Sequence, residues 1–302
     1  MGATQEASIQ DHDSTSPLQS LSDGLAELVT SAAPALVAVQ SHRSRSSGFV
    51  WRPGLIVTAD EALAEDGAVA VVLPGGQTVA ATVAGRDPTT DVALLRIDHP
   101  AAAPVTLVSA AVRVGALALV VGARDGGPSA ALGMVALAGA AWRSLRGGEI
   151  DARIELSLSV RRSSEGGLVL DAAGRAIGMA VFGPRRRVLV IPSATIERVA
   201  AKLASDGRIA RGYLGLALQP VRLDDARVGA MVMGVAEAGP GAASGIRQGD
   251  VIVAWDGKPI RSVQTLLAAL GPDSVGTVVR LSLKRAGEPA EASLTIGERP
   301  EA

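Results

Sequence analysis

The sequence predicts a mainly β protein in which a long barrel-forming part precedes a smaller α+β unit. Short apolar runs follow one another from about residue 35 to residue 191, and turn sequences such as Pro74-Gly75-Gly76 separate many of them. No long helical stretch stands between these runs, so the strands are expected to pair antiparallel rather than as a parallel sheet. Aromatic residues make up only 2% of the 302 residues, so the cores must be built from aliphatic side chains.

The chain is predicted to start with a polar, flexible tail over residues 1–20 and an amphipathic helix. Ser22 is the candidate N-cap of this helix, and Pro34 should end it. The barrel strands are then predicted at 36–39, 48–51, 55–58, 68–73, 78–83, 92–97, 116–121, 130–136, 154–158, 168–170, 176–181 and 188–191. With this number of short strands, one barrel or a pair of barrels is expected.

A second amphipathic helix should follow the last of these strands and close the barrel part. Ser193 is its candidate N-cap, and Gly207 stands where a C-terminal cap belongs. After a short link, five strand-like runs are predicted at 214–218, 230–235, 251–255, 278–284 and 292–296. A helix over 263–270 with Ser262 as its cap completes this unit, and the mixture indicates a small α+β module.

The composition excludes several classes of function. A formal net charge of −1 provides no global basic field for nucleic acid or anionic lipid. The absence of cysteine excludes disulfides, thiolate metal sites and a cysteine nucleophile. No run of about 18 apolar residues predicts a membrane span. No signal peptide is visible over residues 1–19, which fits a cytoplasmic protein or a periplasmic one without its leader.

Four stretches resemble one known family in their order and spacing. They are Ser47-Gly48-Phe49-Val50 with Leu55-Ile56-Val57-Thr58-Ala59-Asp60, then Asp87-Pro88-Thr89-Thr90-Asp91-Val92-Ala93-Leu94-Leu95, then Gly166-Gly167-Leu168-Val169-Leu170 with Gly174-Arg175-Ala176-Ile177-Gly178, and finally Arg211-Gly212-Tyr213-Leu214-Gly215 with Ser244-Gly245-Ile246-Arg247-Gln248-Gly249-Asp250-Val251-Ile252. Together they resemble the HtrA/Deg family. The resemblance implies a trypsin-like double β-barrel over residues 21–208 and a PDZ domain over residues 211–298.

The resemblance also implies where a serine-protease triad would stand. In that chemistry a serine attacks the peptide carbonyl, a histidine takes its proton and an aspartate orients the histidine. The aspartate position is Asp91, but the histidine position is Glu61 and the serine position is Glu165. Ser163 and Ser164 neighbour the lost nucleophile, and Ser163 replaces a glycine of the family's oxyanion turn. The main prediction is therefore a catalytically inactive homologue, and an active or altered hydrolase is the alternative.

The three carboxylates are expected to meet in one small site. Their repulsion can be relieved in three ways. Glu61 and Glu165 can point to water or pair with Arg161 or Arg162. Alternatively, Glu61, Asp91 and Glu165 can bind a divalent cation such as Ca²⁺, Mg²⁺ or Mn²⁺, or two of the acids can share a proton. A metal-binding protein is therefore a further alternative, and no other cofactor is expected.

The implied PDZ domain predicts capture of protein or peptide C-termini, in which the peptide adds a strand to a sheet edge. The carboxylate-binding loop maps to Tyr213, Leu214, Gly215 and Leu216. The predicted apolar wall consists of Leu216, Leu218, Val263, Leu266 and Leu267. The alternative is that these aliphatic residues belong to the core. No aromatic residue precedes Phe49, so the oligomeric state stays open.

Overall fold

A computed structural model describes residues 16–42, 44–65, 67–99, 103–223 and 228–300. The first β-barrel is closed and six-stranded, with the strand order β1-β2-β3-β6-β5-β4. Its strands are β1 (Leu36–Ser41), β2 (Ser44–Arg52), β3 (Leu55–Thr58), β4 (Val69–Val72), β5 (Thr78–Asp87) and β6 (Val92–Ile97). All neighbouring strands pair antiparallel, as the missing helical crossovers predicted.

The second barrel is also closed and has the order β11-β14-β13-β12-β7-β8. The strands of this part are β7 (Leu117–Arg124), β8 (Gly127–Gly139), β9 (Trp142–Arg143), β10 (Glu149–Ile150), β11 (Arg153–Ser157), β12 (Leu168–Asp171), β13 (Ala176–Phe182) and β14 (Val188–Pro192). The strands β9 and β10 form a separate two-stranded hairpin that the sequence did not predict. Both barrels have aliphatic cores, and Phe49 is a buried exception.

Two helices pack on the barrels, α1 (Pro17–Ala32) and α2 (Ser193–Asp206). The predicted start of α1 at Ser22 was wrong, because Pro17 occupies the first turn, where its missing N–H costs nothing. The predicted cap at Ser193 was also wrong. Ser193 is the first residue of α2 itself, and its Oγ donates to the carbonyl of Ala176 at 3.0 Å instead of capping the helix. The predicted C-terminal cap is confirmed, since Gly207 is left-handed with φ 73°. Residues 1–15 of the predicted tail lie outside the described residues.

The last part of the chain is an α+β module. Its elements are β15 (Gly212–Tyr213), β16 (Leu216–Arg222), β17 (Val228–Val235), α3 (Pro240–Ala243), β18 (Val251–Trp255), β19 (Lys258–Pro259), α4 (Val263–Ala268), β20 (Val278–Arg285), β21 (Glu288–Thr295) and β22 (Gly297–Glu298). The main sheet has the order β16-β17-β18-β20-β21, which leaves β16 at an edge. The predicted cap of α4 is confirmed, because Ser262 Oγ accepts the N–H of Thr265 at 3.0 Å.

One predicted strand of this module is wrong. The run 214–218 is divided at Gly215, which has a positive φ of 70° and turns the chain between β15 and β16. Leu214 fills the core instead of continuing a strand. Among the described residues, no helix has both the length and the apolar character needed to cross a membrane.

An arginine, Arg211, holds the link between the barrels and the last module. The guanidinium Nη2 of Arg211 donates to Oδ1 of Asp87 at 2.9 Å and also contacts Oγ1 of Thr89. Asp87 is only 2% exposed and also accepts hydrogen bonds from the hydroxyls of Thr89 and Thr90. The link therefore reaches the turn that carries Asp91.

Candidate functional site

Asp91 lies in the turn between β5 and β6. Its backbone has a positive φ of 57°, a conformation that aspartate tolerates better than most residues. Its Oδ1 accepts the backbone N–H of Glu61 at 2.8 Å, which joins the predicted aspartate and histidine positions. Burial is the main reason that the pKa of Asp91 is raised to about 8, and the nearby carboxylates of Glu61, Glu165 and Asp60 contribute in the same direction. The hydrogen bond from the Glu61 N–H acts in the opposite direction.

Glu61 follows β3 and remains exposed, with its side chain turned to an arginine. Its Oε1 lies 3.1 Å from Nη2 of Arg146, on the hairpin between β9 and β10. The Nη1 of Arg146 also donates to the carbonyl of Pro88 at 3.1 Å. Arg146 therefore spans the Glu61 and Asp91 segments. The sequence pointed to Arg161 or Arg162 as the partner instead.

Glu165 is buried directly after the 3₁₀ turn Arg162–Ser164. Its Oε2 lies 4.0 Å from Nε of Arg162, whose own side chain is largely exposed. Burial raises the pKa of Glu165, while the Arg162 guanidinium and the backbone N–H of Phe182 act in the opposite direction. The cost of burying the ionised carboxylate of Glu165 is therefore partly offset by Arg162 and the Phe182 N–H. The carboxylate is directed into the protein.

The turn before Glu165 already engages one of the backbone donors that an oxyanion would need. The N–H of Ser164 donates to the carbonyl of Arg161 at 2.9 Å, and the N–H of Glu165 donates to the carbonyl of Arg162 at 3.1 Å. Oxyanion stabilisation requires such donors to aim at the reacting carbonyl oxygen. In this conformation the N–H group of Glu165, the predicted nucleophile position, is already occupied.

Ser47 fixes this turn from the first barrel. Its Oγ donates to the carbonyl of Ser163 at 2.6 Å, and its backbone N–H donates to the carbonyl of Glu165 at 2.8 Å. This close approach of the two segments requires glycine directly after Glu165, since a Cβ on Gly166 would lie 2.3 Å from the carbonyl oxygen of Ser47. Ser47 lies in the first of the four family-like stretches, but the sequence alone predicted no role for it.

Another carboxylate lies beside Asp91 and was not predicted as a site residue. Asp60 is 3% exposed, and its Oδ1 lies 2.5 Å from Nε of Arg86. Arg86 also donates to the carbonyls of Asp60 and Ala64. The only sequence signal was the position of Asp60 within the motif that precedes Glu61.

The predicted cation site receives no support from this geometry. Within the described residues, no group of three or more His, Cys, Asp or Glu side chains is arranged to hold a metal ion. Glu61 faces Arg146, and Glu165 faces Arg162. These two carboxylates are thus turned toward arginines.

The predicted carboxylate-binding loop forms a fixed turn in the last module. The carbonyl of Leu214 accepts the N–H of Gly241 at 2.7 Å, and the carbonyl of Gly215 accepts the N–H of Ala236 at 2.8 Å. Tyr213 ends β15 just before this turn. The two carbonyls are therefore directed into the module.

The predicted apolar wall has one buried, several half-buried and one exposed member. Leu266 is buried in the core, as the alternative interpretation proposed. The side chains that pack partly buried on that core are Leu216, Leu218 and Val263. Leu267 is 52% exposed. The edge strand β16 and the helix α4 thus present an apolar surface that a ligand can reach.

Comparison with known proteins agrees with this architecture. A family model for the trypsin-like peptidase domain matches residues 46–179, and one for the PDZ domain matches residues 212–296. The chain is a homologue of DegP-like serine endoproteases. A probable periplasmic serine endoprotease DegP-like of Rhizobium meliloti is 30% identical over 280 residues, which cover 85% of this chain and 54% of the relative. A relative of the same description in Brucella suis is 31% identical over 275 residues, 85% of this chain and 53% of its own length.

Solved structures of this HtrA/DegP architecture superpose on most of the chain. The serine endoprotease from Yersinia pestis has a TM-score of 0.71 at 25% identity, covering 91% of this chain and 98% of its own. The HtrA-type protease AlgW with a decapeptide also has a TM-score of 0.71, at 22% identity, covering 92% and 99%. The likeness to AlgW shows the fold alone. The chain spans about half the length of the curated relatives it matches.

Proposed function

We propose that this HtrA/DegP homologue is catalytically inactive and binds peptide C-termini through its PDZ domain. The observation that carries the proposal is glutamate at both proton-transfer positions, Glu61 and Glu165. A carboxylate at the nucleophile position, buried and directed into the protein, does not replace a serine hydroxyl activated by histidine. The occupied N–H of Glu165 supports the same conclusion.

A digestion assay with casein tests the absence of hydrolysis. The unmodified chain is expected to release no peptides above the buffer control, and Glu165→Ala should behave identically. Loss of nucleophile or base alone costs a triad enzyme orders of magnitude in rate. Hydrolysis by the unmodified chain that disappears in Glu165→Ala would instead establish an altered hydrolase.

The PDZ part of the proposal rests on an open sheet edge beside an apolar helix. A peptide strand added to β16 would pair through the main chain, and its side chains would meet Leu216, Leu218 and Leu267. Apolar peptides with a free C-terminus should bind, and amidation of the terminus should abolish binding because the loop at Gly215 is proposed to hold the carboxylate.

Two lysine substitutions distinguish binding in the groove from nonspecific binding of the peptide to exposed apolar side chains. Leu267→Lys places a charge on the exposed groove side of α4 and should weaken peptide binding about tenfold or more, measured by fluorescence anisotropy. Met233→Lys is the matched control, because Met233 is 46% exposed in the same module but is not part of the predicted wall. Equal affinity for free and amidated peptides would contradict the proposal.

We further propose a periplasmic location, which rests on the names of the relatives. Immunodetection after cell fractionation would test it. Recovery of the protein with the cytoplasmic fraction would count against this location.

A further inference from the structure

A cavity of about 700 Å³ opens beside the Glu61 position, between the two barrels. Its walls include the β1–β2 hairpin, the segment after Glu61, the end of β7 and the turn Arg161–Ser163. The cavity is within the size range of ligand-binding pockets and far larger than a single inorganic anion. The proposed PDZ function does not use it.

The charged lining of this cavity is predominantly basic. The arginines are Arg45, Arg124, Arg161 and Arg162, with His42 beside them. The acidic lining residues are Glu61 and Asp125. Among the described residues of the lining, the arginines therefore exceed the acids by two charges, although the whole chain carries a formal net charge of −1.

Both acids already have arginine partners. Oδ1 of Asp125 lies 3.1 Å from Nη1 of Arg45, and its Oδ2 lies 3.4 Å from Nε of Arg124. Glu61 pairs with Arg146, which is not part of the lining. Arg161 makes no side-chain hydrogen bond or ion pair with the rest of the described chain. Its guanidinium is therefore available to a ligand.

We propose that this cavity binds an acidic segment of an extended polypeptide. Guanidinium groups bind carboxylates through two parallel hydrogen bonds, which gives both affinity and orientation. The arginines stand on three separate segments, since Arg45 is on β2, Arg124 ends β7, and Arg161 with Arg162 belongs to the turn before Glu165. A spread of cations fits carboxylates spaced along a chain better than one compact anion.

A polar group in the wall adds a second reason for a ligand. Ser46 lines the cavity, and its Oγ is buried without a hydrogen-bond partner in the described structure. Buried polar atoms are usually paired, so an unpaired one calls for an explanation. In this proposal a bound peptide supplies the missing partner once the Ser46 side chain turns toward the cavity.

The test uses the full chain and a fluorescein-labelled decapeptide with alternating glutamates and an amidated C-terminus. Amidation prevents capture by a carboxylate-binding PDZ loop. The comparison peptide carries glutamine at each glutamate position. Tighter binding of the glutamate peptide, weakened by added salt, is the expected result in anisotropy titrations.

Variants assign that binding to the cavity. Arg161→Gln should weaken it about tenfold, because one charge-assisted contact is lost without breaking a contact of the folded chain. Arg124→Gln probes a second segment. Arg96→Gln is the matched control, an exposed arginine on β6 outside the cavity, and should leave affinity unchanged.

Three results would overturn the inference. They are equal binding of the glutamine peptide, equal loss in Arg96→Gln, and competition by inorganic phosphate alone at the concentration of the peptide's Kd. Failure here with intact binding of free C-termini would remove the cavity proposal and leave the PDZ proposal standing.

Discussion

At the scale of single residues, Asp91 is constrained both by its backbone conformation and by its charged neighbours. It is held in a left-handed turn by the N–H of Glu61, and the carboxylates of Glu61, Glu165 and Asp60 surround it. A protease aspartate is ionised beside a histidine. Here the pKa of Asp91 is raised to about 8, so the carboxyl group is neutral over most of the physiological range.

This shift makes stability depend on pH. The folded chain keeps a proton on Asp91 up to about pH 8, whereas the unfolded chain releases it near 3.8. Stability should therefore fall as pH rises between these values, by up to about 1.4 kcal/mol for each pH unit. Asp91→Asn keeps an acceptor for the Glu61 N–H and should be more stable than the parent at pH 9, but not at pH 4, in urea unfolding.

A second aspartate provides the control for this substitution. Asp256 also has a positive φ, and its Oδ1 accepts the N–H of Arg280 at 2.9 Å in the PDZ domain. Asp256→Asn shows whether the loss of a carboxylate at such a turn is by itself sufficient to change the pH dependence of the stability. A parent protein with equal stability at pH 5 and pH 8 would contradict the assignment to Asp91.

At the scale of elements, the 3₁₀ turn Arg162–Ser164 matters as much as the residues it carries. Restoring the two family side chains with Glu61→His and Glu165→Ser should not restore hydrolysis of casein. The N–H at position 165 still donates to the carbonyl of Arg162, and Ser47 still holds the carbonyl of Ser163. Loss of one oxyanion donor alone costs about 10²–10³ in kcat.

Adding Ser163→Gly to this double variant is the informative comparison. Glycine lowers the cost of turning the peptide group so that its N–H faces a substrate. Activity above background should appear only in the triple variant. Casein digestion by the double variant would show that the turn rearranges without the glycine.

The strands were predictable, and of the site partners Arg162 beside Glu165 was predicted whereas Arg146 beside Glu61 was not. The ranges Leu55–Thr58 and Val92–Ile97 match the predicted strands to the residue, because apolar runs bounded by turns encode them locally. The pairing of Arg146 with Glu61 joins positions 85 apart and depends on a short hairpin that has no strong pattern. At Gly215, a continuous apolar run concealed a backbone reversal that hydrophobicity does not record.

At the scale of the whole molecule, Arg211 connects the two domains through a buried carboxylate. Arg211→Ala would leave Asp87 without its cation, and breaking a buried pair in this way costs about 3–5 kcal/mol. The hydroxyls of Thr89 and Thr90 remain bonded to Asp87, so the lower end of this range is expected. Calorimetry should show a lower barrel melting temperature and a separate PDZ transition.

Arg208 supplies the matched comparison in the same link. Its Nη2 lies 2.9 Å from Oε1 of Glu298, and both side chains are well exposed. Exposed pairs of this kind contribute at most about 1 kcal/mol. Equal losses in Arg208→Ala and Arg211→Ala would remove the special role assigned to the buried pair.

Under the proposed peptide-binding function, the edge strand β16 also limits how many residues of a peptide can pair with it. Pro220 lies within this strand and has no N–H, so β16 has no backbone donor to offer a peptide strand at that point. Continuous pairing is then confined to Leu216–Gln219, which matches about four residues of a bound chain. The same proline limits edge-to-edge pairing of β16 with the sheets of other copies. The recognition code of this domain should therefore be short, and residues upstream of it in a partner are free to vary.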